Sequence, residues 1–294
     1  MRDLQLPNRR TFLGTAALSG LGLMFAGKAL AADGDVFAQL EKERGGRLGV
    51  AALDKTTGSR IGYRADERFA MCSTFKCLAA AAALARVDKG ELKLDKVISF
   101  GKADLLSYAP VTKQHVDKGS MTLEELCAAA VSVSDNTAAN LILKEIGGPA
   151  GWTAYARSLG DKVSRLDRTE PALNTAVAGD VRDTTSPNAM LGNLDKLFIG
   201  DILSETSRDK LEEWMVTGTV TGPLIRAGVP KNWQVADKSG SGANATRNDI
   251  GVLYRPEKAP IIAAIYYTGS KLDMDGQNKV IADAAALIAS RFGG

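Results

Sequence analysis

From Cys77 to Val87 the chain is almost entirely alanine and leucine, with neither proline nor glycine. Such a run predicts a helix apolar on nearly every side, which is stable only when buried in the middle of its domain. The stretch that opens it, Ala70-Met71-Cys72-Ser73-Thr74-Phe75-Lys76, carries polar chemistry. Ser73 is expected where the helix begins, and Lys76 one turn on, facing the same way. A helix N-terminus favours developing negative charge, and burial disfavours a protonated lysine. Both effects push Ser73 toward a nucleophile and Lys76 toward a base. Spacing alone is weak support, because Ser-x-x-Lys recurs at Ser99…Lys102 and Ser207…Lys210, where charged or turn-forming neighbours predict surface positions.

The 294 residues suffice for one large domain or two interleaved ones. Residues 1–31 are expected to be a cleaved export signal. Arg9 and Arg10 precede a weakly apolar run from Phe12 to Ala26, followed by Lys28 and the small-residue pattern Ala29-Leu30-Ala31. The run is too short and glycine-rich for a comfortable membrane span. Arg9-Arg10 followed by Phe12-Leu13 resembles a twin-arginine signal, which exports folded proteins; an ordinary signal with two arginines is the alternative. Either predicts a periplasmic or secreted protein. The signal holds Arg2, Arg9, Arg10 and Lys28 against Asp3, so it accounts for the whole formal charge of +3. The remainder is neutral, which gives no support to nucleic-acid or membrane partners.

Cys72, Cys77 and Cys127 make an odd number for an exported protein, and no Cys-x-x-Cys occurs. The only histidine, His115, sits in the polar stretch Lys113–Gly119. That leaves too few nitrogen ligands for a histidine-rich zinc site, and no G-x-S-x-G elbow supports a serine–histidine triad. Neither a metal nor a cofactor is expected.

Patterning predicts a first helix over Asp33–Glu43 and a hairpin of Leu48–Leu53 with Arg60–Tyr63. Helices follow over Leu123–Val131, Ala138–Ile146, Trp152–Leu159, Ala189–Phe198 and Ser204–Val216. Residues 165–187 have neither periodicity and predict a structured Ω-type loop. Strands return at Gln234–Asp237, Asp249–Tyr254 and Pro260–Thr268, before a last helix over about Gln277–Arg291. The fold class is therefore α/β (α+β). An antiparallel sheet is built from both chain ends and covered by terminal helices, with an all-helical domain inserted. The boundaries fall at about 32–68 and 217–294 for the sheet part, and about 69–216 for the helical part.

Two more polar clusters accompany Ser73. Ser134-Asp135-Asn136 lies between two helices, with Ser134 and Asn136 pointing the same way if the backbone is extended. Lys238-Ser239-Gly240-Ser241-Gly242 follows a strand and puts a lysine and small hydroxyls at a sheet edge. In this order, with Glu170-Pro171-Ala172-Leu173-Asn174 in the loop, they make the chain resemble the class A serine β-lactamases over essentially all of its length after the signal.

The resemblance implies hydrolysis of β-lactams through a serine acyl-enzyme, on a fold shared with penicillin-binding proteins. Ser73 would attack the amide, with the backbone N–H groups of Ser73 and Ser241 as oxyanion hole. Lys76 or Glu170, through a water, would take the serine proton. Ser134, helped by Lys238, would protonate the departing nitrogen. Asn136 would hold the side-chain amide of the drug. Lys238, Ser239 and Arg247 would face its carboxylate, in a site that includes Gly240, with Tyr108 as an aromatic wall. Glu170 and Asn174 would position the deacylating water, and Arg168 with Asp183 would close the loop's neck. A monomer is expected, though the sequence does not fix the oligomeric state. Two departures concern cysteine. The usual partner position for Cys127 is Ala80, and the position that bridges to a cysteine at 72 in carbapenem-hydrolysing relatives is Gly242. Carbapenem hydrolysis is therefore not implied.

A D,D-peptidase of penicillin-binding type shares the three catalytic motifs but would lack Glu170. An exported β-lactam sensor would stay acylated and normally carries a transmembrane segment. A binding protein without chemistry would not need Lys76 in an apolar helix.

Overall fold

The computed structural model describes residues 35–293; the expected export signal lies outside them. The N-terminal part runs α1 (residues 35–44), β1 (Arg47–Asp54), β2 (Arg60–Tyr63) and the short β3 (Phe69–Ala70). Next come α2 (Phe75–Asp88), the short β4 (Val97–Ser99) and β5 (Ser120–Thr122), then α3 (Leu123–Ser132), α4 (Asn136–Ile146) and α5 (Gly148–Ser158). After the long loop follow β6 (Thr184–Thr185), α6 (Pro187–Phe198), α7 (Glu205–Val216) and the single turn α8 (Ile225–Gly228). β7 (Gln234–Gly242), β8 (Thr246–Arg255), β9 (Lys258–Thr268) and α9 (Met274–Phe292) end the chain.

The main sheet is antiparallel in the order β2-β1-β9-β8-β7, so the two ends of the chain meet where β1 pairs with β9, Ala51 opposite Ala264. Successive side chains on a strand point to opposite faces, and here both faces are covered. On β9, Ile262, Ala264 and Tyr266 join the core shared with α2 to α7. Ile261, Ala263, Ile265 and Tyr267 meet Val280, Ile281, Ala284 and Ile288 of α9 and Phe37 and Leu40 of α1. That double burial is why β9 reads as a continuous apolar run. Among the described residues, no helix is long and apolar enough to cross a membrane.

α2 is the axis of the helical layer: every residue from Phe75 to Ala85 is buried, and α3, α4, α5 and α7 all pack on it. Its alanines let four helices approach one. Its start differs from expectation. Ser73 lies not on the α-helix but on a 3₁₀ turn, Cys72–Thr74, which leads into it. Cys72 takes φ +46°, a left-handed conformation that costs a non-glycine residue energy and persists only where its surroundings fix it. They do so here. Met71 N donates to Asp183 O at 2.9 Å, and β7 presses on the turn's other side. A Cβ on Gly240 would sit 2.7 Å from Met71 O, and one on Gly242 2.6 Å from Cys72 Sγ.

The repeat Ser207…Lys210, expected at the surface, is only partly so. Ser207 is buried in the first turn of α7, where its hydroxyl donates to Asp88 at 2.6 Å, while Ser99 is exposed. The strands are longer than their apolar cores suggest: β7 continues through Gly242, because Lys238 to Gly242 pair with Ile250 to Thr246. Cys72, Cys77 and Cys127 are all buried free thiols. Burial pushes all three upward, Cys72 and Cys77 to about 12, so they are protonated at neutral pH.

Candidate active site

Three elements converge on the head of α2. From α2 itself, Lys76 Nζ reaches across to the α3–α4 connection and meets Ser134 O at 2.8 Å, Ser134 Oγ at 3.3 Å and Asn136 Oδ1 at 2.6 Å. The extended backbone that would point Ser134 and Asn136 the same way is not what forms there. Ser134 is left-handed at φ +63° and Asn136 is the first residue of α4. The turn is fixed by Asp135, a buried carboxylate that caps α4 at Ala138 N and also binds Val111 N, Thr112 N and Thr112 Oγ1. Asp135 thereby joins α4 to the segment that carries Tyr108.

The long loop supplies the acid. Glu170 Oε1 lies 3.0 Å from Lys76 Nζ, with both side chains fully buried, and accepts from Ser73 Oγ at 3.4 Å. Asn174 Nδ2 donates to Oε2. The peptide bond between Glu170 and Pro171 is cis. At the loop's neck, Asp183 Oδ2 accepts from Arg168 Nε, and its Oδ1 accepts from Asp167 N and Arg168 N. The far side of the loop is tied to the sheet by Ala243 N donating to Asn174 O at 2.9 Å.

β7 closes the third side. Lys238 is fully buried, and its Nζ donates to Ser134 Oγ at 3.1 Å and to Ser239 O at 2.9 Å. The Ser134 hydroxyl thus lies between two lysine amines. Burial lowers Lys76, opposed mainly by the charge of Glu170. Burial, with the charge of Lys76 adding to it, brings Lys238 down to about 7. Arg247, opposite Ser241 on β8, is mostly buried, and its Nε donates to Asn278 Oδ1 on α9 at 2.7 Å.

A cavity of 330 Å³ opens over this centre, and its walls include Ser73, Tyr108, Ser134, Asn136, Asn174 and Arg247. Ser239 and Ser241 line it from β7. Gly240, between them, backs onto the turn that carries Ser73. Tyr108 is half exposed at the rim, its hydroxyl donating to Val133 O at 3.2 Å. His115 is half buried on the 3₁₀ turn Thr112–His115 and is no part of the wall. Among the described residues no group of acids, histidines and cysteines could hold a metal ion. The site can deliver a nucleophilic hydroxyl, a buried carboxylate beside it and a hydroxyl shared by two amines.

The model of the β-lactamase enzyme family matches residues 35–292. The chain belongs to that family. It is 45% identical over 279 residues to β-lactamase CTX-M-97 of Escherichia coli, covering 94% of this chain and 96% of that one. It is 46% identical over 270 residues to β-lactamase OXY-2 of Klebsiella oxytoca, covering 90% and 93%. The solved class A β-lactamase of the last common ancestor of Gram-negative bacteria superposes with a TM-score of 0.87 at 54% identity, covering 89% of this chain and 99% of that one. The protein is a class A serine β-lactamase, and it hydrolyses β-lactams through a serine acyl-enzyme.

In this β-lactamase several residues that hold the site in place were not singled out in the sequence. Asn140 grips the Glu170 backbone at both ends, Nδ2 to Glu170 O and Glu170 N to Oδ1, each at 2.9 Å. It lies one helical turn after Asn136, an i,i+4 spacing that was open to reading. Asn278 and the wall residues Val220 and Met274 carried no local signal, because only the tertiary fold brings them to the cleft. Asp237 and Asp249 are buried, their charges act on Lys238, and burial raises both acids. Arg226 Nη2 and Nε reach Asp237 Oδ1 at 2.7 and 2.9 Å.

Proposed function

We propose that Ser73 is the nucleophile of this β-lactamase and that Glu170 is its base in the resting enzyme. The observation that carries the assignment is the buried contact of Glu170 Oε1 with both Ser73 Oγ and Lys76 Nζ. Besides the Ser134 hydroxyl at 3.3 Å, the Lys76 amine meets three closer acceptors, Ser134 O, Asn136 Oδ1 and Glu170 Oε1, which suits an ammonium. As an ammonium it cannot take the serine proton, whereas Glu170 can, directly or through a water. Ser134, between Lys76 and Lys238, then passes a proton to the departing ring nitrogen. Backbone N–H groups of Ser73 and Ser241 receive the oxyanion. Asn136 holds the drug's side-chain amide, Tyr108 flanks it, and Lys238, Ser239 and Arg247 face its carboxylate beside Gly240. Glu170 and Asn174 position the water that frees the ester. Purified protein should open a chromogenic cephalosporin catalytically, many equivalents per chain; release of one equivalent followed by arrest would match an acylated sensor instead.

Arg247 gives this reading a charge test. Arg247→Ala should raise KM for carboxylate-bearing penicillins roughly 10- to 150-fold, the equivalent of the about 1.5–3 kcal/mol of a charge-assisted hydrogen bond. An esterified substrate should lose much less. Equal losses for both would remove Arg247 from the carboxylate site.

Lys238 gives a pH test. With its value lowered to about 7, the free enzyme carries the ammonium below that pH and loses it above. A bound carboxylate favours the charged form and moves the titration upward. The alkaline fall of kcat/KM, which reports the free enzyme, should begin near pH 7, and that of kcat at higher pH. Lys238→Arg should abolish the difference, because arginine does not titrate there; superposed limbs in the wild type would contradict the role.

Export to the periplasm by the twin-arginine route is part of the proposal, with residues 1–31 as its signal. Replacing Arg9 and Arg10 by lysine should leave the precursor in the cytoplasm, and unchanged export would refute the route. The mature protein is proposed to act as a monomer without cofactor. Its sheet part comprises about residues 32–68 and 217–294, and its helical part about 69–216.

A further inference from the structure

A second cleft, of 630 Å³, lies between α5, the segment 162–167 that leads into the long loop, and Arg68 just before β3. It shares no residue with the cavity over Ser73. Its charged lining is Arg68, Arg157, Lys162 and Arg165 against one acid, Asp167. Asp167 is already committed: it pairs with Arg165 at 2.6 Å and accepts from Asp183 N at 3.1 Å.

The other three cations have no carboxylate partner among the described residues. Arg157 uses Nη1 alone, donating to Asp161 O at 2.6 Å and Ser164 O at 2.7 Å. Arg68 likewise uses Nη1, donating to Val163 O at 2.9 Å and Thr184 Oγ1 at 3.0 Å. Both guanidinium groups are thus held in place by neutral oxygens, with Nε and Nη2 left to meet something else. Lys162, exposed on the cleft wall, makes no side-chain hydrogen bond or ion pair among the described residues. The chain after the signal is neutral, so three uncompensated cations around one concavity are a local concentration of charge.

We propose that this cleft binds a multivalent phosphate anion through Arg68, Arg157 and Lys162. A planar guanidinium matches two phosphoryl oxygens at once, and an ammonium adds a point charge. A monocarboxylate would answer one cation of the three, whereas a chain of linked phosphates can answer all of them. The volume lies within the roughly 300–1,000 Å³ of small-molecule sites. The phosphates can belong to a soluble oligophosphate or to anionic lipid headgroups.

Lys162 is the position to vary, because it supports nothing in the fold. In calorimetric titration at low ionic strength, inorganic tripolyphosphate should bind saturably to one site, and more weakly as salt rises. Lys162→Ala should weaken it about tenfold, the loss of one charge-assisted contact, and Lys162→Glu more. Lys89→Ala, an exposed lysine outside the cleft, should leave binding unchanged, and β-lactam turnover should be unaffected by Lys162→Ala. Phosphatidylglycerol vesicles supply the second arm. Sedimentation with them that tripolyphosphate displaces assigns the phosphate to a lipid headgroup. Tripolyphosphate binding without vesicle binding assigns it to a soluble anion. No saturable binding in either arm, or an equal loss in Lys89→Ala and Lys162→Ala, overturns the proposal.

Discussion

Glu170→Ala is expected to acylate with a penicillin and then stall, its ester hydrolysis slowed by roughly 10²–10⁴-fold. At 1.36 kcal/mol per tenfold, that is about 3–5 kcal/mol on the deacylation barrier. The two half-reactions separate because of how Glu170 is placed. Its carboxylate sits at 3.0 Å from Lys76 Nζ, and its charge is the largest influence opposing the effect of burial on that amine. Removing the carboxylate leaves Lys76 buried without its counter-charge, so burial lowers it further. A neutral Lys76 is then able to take the Ser73 proton, and acylation continues in part. Nothing comparable replaces Glu170 in activating water, since Asn174 offers the water an amide and no base. Stopped-flow measurement should show a burst close to one equivalent followed by a slow steady state. A steady state at the wild-type rate would make the loop acid a bystander.

Arg226→Met is expected to destabilise the protein by about 3–5 kcal/mol at neutral pH, the cost of breaking a buried ion pair by removing one partner. Arg226 contributes two hydrogen bonds to Asp237, whose side chain is fully buried, and Thr221 Oγ1 adds a third at 2.8 Å. Asp249 lies diagonally opposite on β8, also buried. Without the guanidinium, two buried carboxyl groups would share the site, with the positive charges of Arg247 and Lys238 acting on Asp249. The sign with pH follows from burial raising both acids. A carboxyl raised in the folded state contributes stability while it is protonated, and loses it as pH rises through its folded value. The deficit of Arg226→Met should therefore shrink toward acid. In denaturant melts, adding Asp237→Asn should recover much of the loss. A deficit independent of pH, or no recovery, would place the effect in packing instead.

The fold was legible where burial leaves a composition signature. The all-round apolar run of α2, the long apolar β9 and the return of strands after Trp233 place the helical layer between two halves of one sheet. The Ω-type loop was marked by its lack of periodicity. The chemical groups were legible because they sit in short local patterns, Ser73 with Lys76, Ser134 with Asn136, Lys238 with Ser241. What the sequence did not reveal is the backbone that aims them. Ser134 reaches the cleft from a left-handed turn, and Cys72 ahead of Ser73 is left-handed too, conformations that local patterning does not predict for serine or cysteine. Both are imposed from a distance, by Asp135 tying two segments and by β7 pressing its glycines on the nucleophile turn. Asn140, Asn278 and Arg226 were silent for the same reason, since each acts on a residue 11 or more positions away. Ser207 shows the converse: charged neighbours predict exposure, yet it is buried, its hydroxyl donating to Asp88 and its N–H to Ser204 Oγ.

Intact-mass spectrometry during turnover of a penicillin tests the central claim, that Ser73 is acylated and Glu170 frees it. Three proteins are compared in excess substrate: wild type, Glu170→Ala and Ser73→Ala. The account predicts wild type at its unmodified mass while substrate disappears, Glu170→Ala carrying one penicilloyl group on Ser73, and Ser73→Ala unmodified and inactive. A wild type that accumulates the adduct, or a Glu170→Ala that stays unmodified while turning over at the wild-type rate, would contradict it.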